Sequence, residues 1–143
     1  MSEIAKRGFA YILSLSVVTA VLIYTIDLPG YLTGANDLVK EYYYRNAVGS
    51  FVLDIALVAL YISASMYVTR FLGVKENAAE LLTVAGTSAA ISTGFMLLFR
   101  AGLAKGTFFS RWFDRVGALA VLYDTILVSS IFLLMKVIYK RIG

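Results

Sequence analysis

AVGSFVLDIALVALYISASMYVTRFL, residues Ala47 to Leu72, is an apolar run longer than the roughly 20 residues a helix needs to cross a hydrocarbon core about 30 Å thick. One acid, Asp54, lies inside it. A carboxylate at that depth costs free energy unless it is paired, protonated or wetted, which makes it a candidate functional group by default. A second acid in the same setting, Asp124, follows about seventy positions later in another apolar run.

Three further runs flank this one. The first, about Phe9 to Leu28, follows Lys6-Arg7 and is expected to end at Pro29-Gly30, a helix-breaking pair. It is longer than a signal-peptide core and reads as a retained first span. The second run closes at Gly73. The third, about Ala78 to Arg100, is preceded by Asn77 with Glu80 three positions on, the pattern of a capping box. In the fourth, Ser110 is expected to cap a helix that carries Arg111 to Arg115 in its first turns and spans from about Phe113 to Tyr139. The expected architecture is all-α: an integral membrane four-helix bundle, forming one transmembrane domain over residues 1–143 and organised as two repeated helical hairpins.

Composition agrees. Of 143 residues, 60% are hydrophobic and 15% charged, and the mean hydropathy is +0.81, far from ordinary globular usage. The absence of cysteine and histidine removes disulfides, thiolate nucleophiles, Cys/His zinc sites and a histidine base. No metal, cofactor or catalytic residue is expected, because an enzyme here would need the two carboxylates as its acid and base. The formal charge of +4 comes from basic residues at the ends of apolar runs, where they meet lipid headgroups, so nucleic acid is not an expected partner. Lys and Arg are spread nearly evenly over the two faces of a four-span model, so charge does not set its orientation.

Sliding the second half over the first aligns Tyr42-Tyr43-Tyr44-Arg45 with Trp112-Phe113-Asp114-Arg115, and Asp54 with Asp124. Nine residues at about 1.5 Å each would put each acid about 13 Å inward from its arginine, close to the midplane on parallel helices. Duplicated spans with polar groups at mid-depth are a feature of transporters. Asp54 shares a helix face with Ser50, Tyr61 and Ser65, whereas Asp124 has Ala120, Val128 and Ile131 at the comparable positions and needs a partner from elsewhere. Each acid could equally fix packing through an interhelical hydrogen bond. Were the two in contact, they would titrate as a coupled pair.

The third run carries Gly86, Ala90 and Gly94 at four-residue spacing among several Ser and Thr, the pattern that lets helix backbones approach closely. It is expected at the bundle centre, with a hydroxyl-lined pore as the alternative use. Tyr42, Tyr43 and Tyr44, and Phe108, Phe109, Trp112 and Phe113, fall where an aromatic belt belongs, and Arg45, Arg111 and Arg115 beside them suit lipid phosphates or an overlying protein. Asp37 to Asn46 is expected to prolong the second helix beyond the bilayer.

In Glu41-Tyr42-Tyr43 through Phe51-Val52-Leu53-Asp54, in TSAAISTG at Thr87 to Gly94, and in Phe109-Ser110-Arg111-Trp112-Phe113 through Ala120-Val121-Leu122-Tyr123-Asp124, the chain resembles small multi-span membrane proteins of large DNA viruses of algae and protists. The resemblance runs from about Glu41 to Ile138 and implies a virion inner membrane or a host membrane as the setting. It carries over no catalytic residues. The resulting expectation is a structural or scaffolding membrane component that contacts headgroups, capsid or other membrane proteins. The alternative is a small proton- or ion-coupled channel or transporter using Asp54 and Asp124, as a homo-oligomer because four short helices enclose little volume.

Overall fold

The computed structural model describes residues 2–142, so the first and last residues of the expected 1–143 domain lie outside the described residues. α1 (Glu3–Thr19) continues as a π-helical segment over Ala20–Thr25, and two short helices follow, α2 (Leu28–Thr33) and α3 (Asn36–Lys40), the latter prolonged by a π segment, Glu41–Arg45. Then come α4 (Ala47–Leu72), α5 (Asn77–Arg100), α6 (Phe108–Val116) and α7 (Ala118–Ile142), with no strand among the described residues. Glu3–Thr25, α4, α5 and α7 are each long and apolar enough to cross a bilayer. The chain is an integral membrane protein.

α4 shows why. Its outward positions include Val48, Val52, Leu60 and Phe71, all exposed, while its buried positions are Ser50, Asp54, Val58, Tyr61, Ile62, Ser65 and Thr69. Hydrocarbon outside and hydroxyls inside is the arrangement lipid demands, because polar groups must find their partners within the protein. Ser65 and Thr69 do so locally, donating to the carbonyls of Tyr61 and Ser65 at 2.7 and 2.8 Å.

Several boundaries differ from the sequence expectation. Ser2 caps α1, so the first span starts at Glu3 instead of Phe9, and it ends at Thr25 because Asp27 turns the chain with φ 55°. Pro29 stops nothing; it sits in the first turn of α2, where its missing N–H costs no helical bond. Asn77 does not cap α5 but occupies its first helical position. Its side-chain oxygen accepts from Lys136 Nζ at 3.1 Å, and Glu80 pairs with the same lysine, so both supposed capping groups tie α5 to α7. Ser110 likewise lies inside α6, not before it, and Gly117 separates α6 from the fourth span, which begins at Ala118 instead of Phe113. At its far end Tyr139 donates to Glu3, closing the bundle where the chain begins and ends.

α7 packs against both α1 and α5, and α4 leans mainly on α5. The buried residues of α5 are Val84, Ser88 and Ser92, whereas Gly86 and Ala90 are exposed, and a Cβ added at Gly86 or Gly94 would meet nothing within 4 Å. The Gly86/Ala90/Gly94 row therefore does not pack inside this chain. Two small-residue rows share the helix at the same spacing, and the hydroxyl-bearing row faces inward, where Ser92 has a partner on α7. The element order also repeats, a short helix followed by a single break residue and a span: Asn36–Arg45, Asn46, α4; then α6, Gly117, α7.

Candidate functional site

α6 is amphipathic over barely more than two turns. Phe108, Phe109, Trp112 and Phe113 fall on one side, and Arg111, Asp114 and Arg115 on the other. Trp112 is 6% exposed, so the aromatic side lies on the end of the bundle, and α6 acts as part of a cap. Arg100, at the end of α5, donates from Nε to the Phe113 carbonyl at 3.3 Å, placing a cation at the C-terminal end of α6, where the helix dipole favours it. Gly117 carries φ 63° and ψ −129°, a conformation that side chains resist, and a Cβ there would lie 2.5 Å from Arg100 Nη2.

The other half of the cap is the segment Asn36–Arg45. It does not prolong α4 outward; Asn46 breaks the helix, and the segment turns its aromatic rings into the bundle. Tyr42 and Tyr43 are buried, and only Tyr44, 53% exposed, keeps a position suited to an interfacial belt. Arg111 grips Glu41 with two bonds of 2.8 and 2.6 Å, and Arg115 holds Asp37 at 2.6 and 2.7 Å. These arginines therefore join the two halves of the cap, while Arg45 is exposed and joins neither ion pair. The Arg115 and Arg111 hydrogen bonds hold the Asp37 and Glu41 carboxyls below their usual values, and Glu41 in turn raises Arg111. The pairs are solvent-exposed, which limits the contribution of each to stability.

Beneath the cap lies a cavity of about 120 Å³ whose wall includes both Asp54 and Asp124. Asp54 is the eighth residue of α4 and Asp124 the seventh of α7, so both sit about 9–10 Å in from the cap-side helix ends, shallower than the expected midplane. Tyr42 donates its hydroxyl to Asp54 Oδ1 at 2.6 Å. Ser50 is buried on the same face but contributes its backbone carbonyl, 3.5 Å from the Tyr42 hydroxyl. Asp124 takes its bond from Ser92 on α5, Oγ to Oδ2 at 2.6 Å, and the Tyr61 phenol faces this pair across the bundle.

The face of α4 that carries Ser50, Asp54 and Tyr61 is thus divided between the two acids, with the Tyr61 phenol on the Asp124 side rather than on Asp54. A phenol–phenol pair, Tyr43 with Tyr123 at 2.7 Å, closes the cap against α7. Tyr24 fixes the Tyr43 carbonyl from the end of the first span at 2.5 Å. Residue type and spacing in the sequence do not mark Ser92, Tyr123, Phe95 or Phe99 as site residues. The signal for Ser92 was its place in the row Val84, Ser88, Ser92, and for Tyr123 its adjacency to Asp124.

The arrangement holds two carboxylates on one cavity, each met by a hydroxyl donor, inside a wall that contains no lysine or arginine. Such a site can hold protons or a cation. Among family models, curated proteins and solved structures, nothing matches this chain, so the viral resemblance stands on its quoted residues alone.

Proposed function

We propose that this protein is a small membrane carrier or channel in which Asp54 and Asp124 hold a proton or another cation in transit. The observation behind this reading is their place on one cavity with no basic residue in its wall. Two carboxylates in a low-dielectric site repel each other and lose hydration, so their charge is met by protons or by a bound cation.

Unpaired hydroxyls deeper in the bundle support the same reading. Among the described residues Ser88 Oγ and Ser129 Oγ, like Ser14 Oγ and Thr19 Oγ1 on α1, are buried without a hydrogen-bond partner. Counted along α5 and α7, Ser88 and Ser129 lie about 17–18 Å from the cap-side ends, one step beyond the Ser92–Asp124 pair. Unpaired buried hydroxyls are where water enters a protein interior. The Lys136, Glu80 and Asn77 cluster then lies nearer the other membrane face, about 27–35 Å along. The cap, joined to its spans through Asn46 and Gly117, is the natural gate.

Reconstitution tests the reading. Proteoliposomes with an imposed proton or monovalent-cation gradient should show flux, and Asp54→Asn or Asp124→Asn should abolish it while folding persists. Absence of flux under every gradient counts against a carrier.

A second reading is a scaffold of a virion inner membrane or host membrane that contacts headgroups, capsid or other membrane proteins. It draws on the bonds Tyr42–Asp54 and Ser92–Asp124, each of which joins two elements of the bundle. On that reading the Asn variants keep function, and the protein co-purifies with virions. Neither reading invokes catalysis.

A further inference from the structure

We propose that the cavity beneath the cap binds a small organic cation carrying an alkylated ammonium group. The proposal rests on the reading of Asp54 and Asp124 as cation-holding groups and adds which cation they hold.

Charge does not choose among cations; the wall does. Hard ions such as Ca²⁺ take roughly six to eight oxygen ligands, and Mg²⁺ keeps a tight octahedral shell. This cavity offers two carboxylates and a few phenols, and among the described residues no cluster of three acids converges. The rest of its surface is largely aromatic. Tyr61 stacks on Phe95 at 6.3 Å, Phe95 neighbours Phe99 at 6.3 Å, and Phe99 stacks on Phe113 at 5.6 Å. On the cap side Phe108 lies between Tyr42 at 4.8 Å and Trp112 at 6.1 Å. π faces attract cations, and an alkylated ammonium, weakly hydrated, gives up water more cheaply than a metal ion does.

One polar atom points the same way. Asp54 is 7% exposed, and its Oδ1 is taken by Tyr42, while among the described residues Oδ2 receives no hydrogen bond although the side chain lines the cavity. A carboxylate oxygen left open to the cavity beside aromatic faces is the complement of an ammonium head. At about 120 Å³ the space suits such a head and not a drug-sized molecule.

The test uses the full chain in maltoside micelles, titrated with choline, with its neutral isostere 3,3-dimethylbutan-1-ol, and with phosphocholine. Trp112, the one tryptophan of the sequence, lies on the cavity wall and reports binding by its fluorescence. Choline should bind at least about tenfold tighter than the isostere. Asp54→Asn and Asp124→Asn should each weaken choline by about tenfold while leaving the isostere unchanged, which also shows that the variants are folded. Phe95→Leu, which trims the wall without touching charge, should weaken choline several-fold.

Phosphocholine binding weaker than choline identifies a free cation, and equal or tighter binding identifies a lipid headgroup; both uphold ammonium recognition. Equal affinity for choline and its isostere, or choline binding that survives both Asn substitutions, overturns the proposal. Asp-dependent proton or metal-ion flux without choline binding overturns this proposal and leaves the carrier reading standing. Asp-dependent choline binding without any flux removes the carrier reading and upholds the site.

Discussion

Replacing Tyr42 by Phe removes one oxygen and little else. The Phe108 ring stacked at 4.8 Å keeps its contact, and the ring stays buried. What is lost is the 2.6 Å bond to Asp54 Oδ1, between two residues each 7% exposed. The secondary contact to the Ser50 carbonyl, at 3.5 Å, is at the limit of hydrogen-bond length and adds little. A buried acceptor left without its donor costs about 1–3 kcal/mol, so Tyr42→Phe should destabilise the fold by about that amount. Asp54→Asn keeps an acceptor oxygen and should cost less. The double variant isolates the interaction: unfolding in mixed micelles, followed through Trp112, should give a coupling energy of about 1 kcal/mol or more between the two sites. A coupling indistinguishable from zero would refute the claim that this bond holds the cap segment on α4, and with it the inward placement of Tyr42.

Three further outcomes follow from the geometry. Gly117→Ala should destabilise the protein by about 1–3 kcal/mol, because alanine resists φ 63° with ψ −129° and its Cβ would meet Arg100; protease cleavage between α6 and α7 measures the opening, and an unchanged cleavage rate contradicts the hinge. Gly86→Ala and Gly94→Ala, where an added Cβ meets nothing within 4 Å, should each stabilise α5 by up to about 1 kcal/mol; a loss of stability would mean that another helix covers this row. The Asp37 and Glu41 carboxyls, lowered by Arg115 and Arg111, stabilise the cap above their ordinary values of 3.8 and 4.5, and that contribution disappears as pH falls through the lowered ones. Trp112 emission should therefore report cap loosening only in acid, and an identical acid transition in an Asp37→Asn/Glu41→Gln variant would reject the assignment.

The sequence by itself determined the class of the molecule and the number of its spans. In hydrocarbon every backbone polar group needs an internal partner, so a long apolar run leaves helix as its solution, and α4 matches its run residue for residue. It also marked the acids, since an aspartate in such a run is conspicuous wherever the helix lies. Facing was another matter. Periodicity shows that Gly86/Ala90/Gly94 and Val84/Ser88/Ser92 are rows of one helix, but which row turns inward depends on what α7 presents, and Asp124 sits there to meet Ser92.

Local motifs failed where a distant charge competed. Asn77 and Glu80 have the spacing of a cap, yet Lys136 arrives from α7 and takes both. Aromatic residues at a membrane boundary serve equally as belt or as core. Tertiary structure decided for the core at Tyr42, Tyr43 and Trp112, because the breaks at Asn46 and Gly117 let two short helices fold over the bundle end. That folding, which no stretch of the sequence encodes alone, brings Asp54 and Asp124 onto one aromatic cavity.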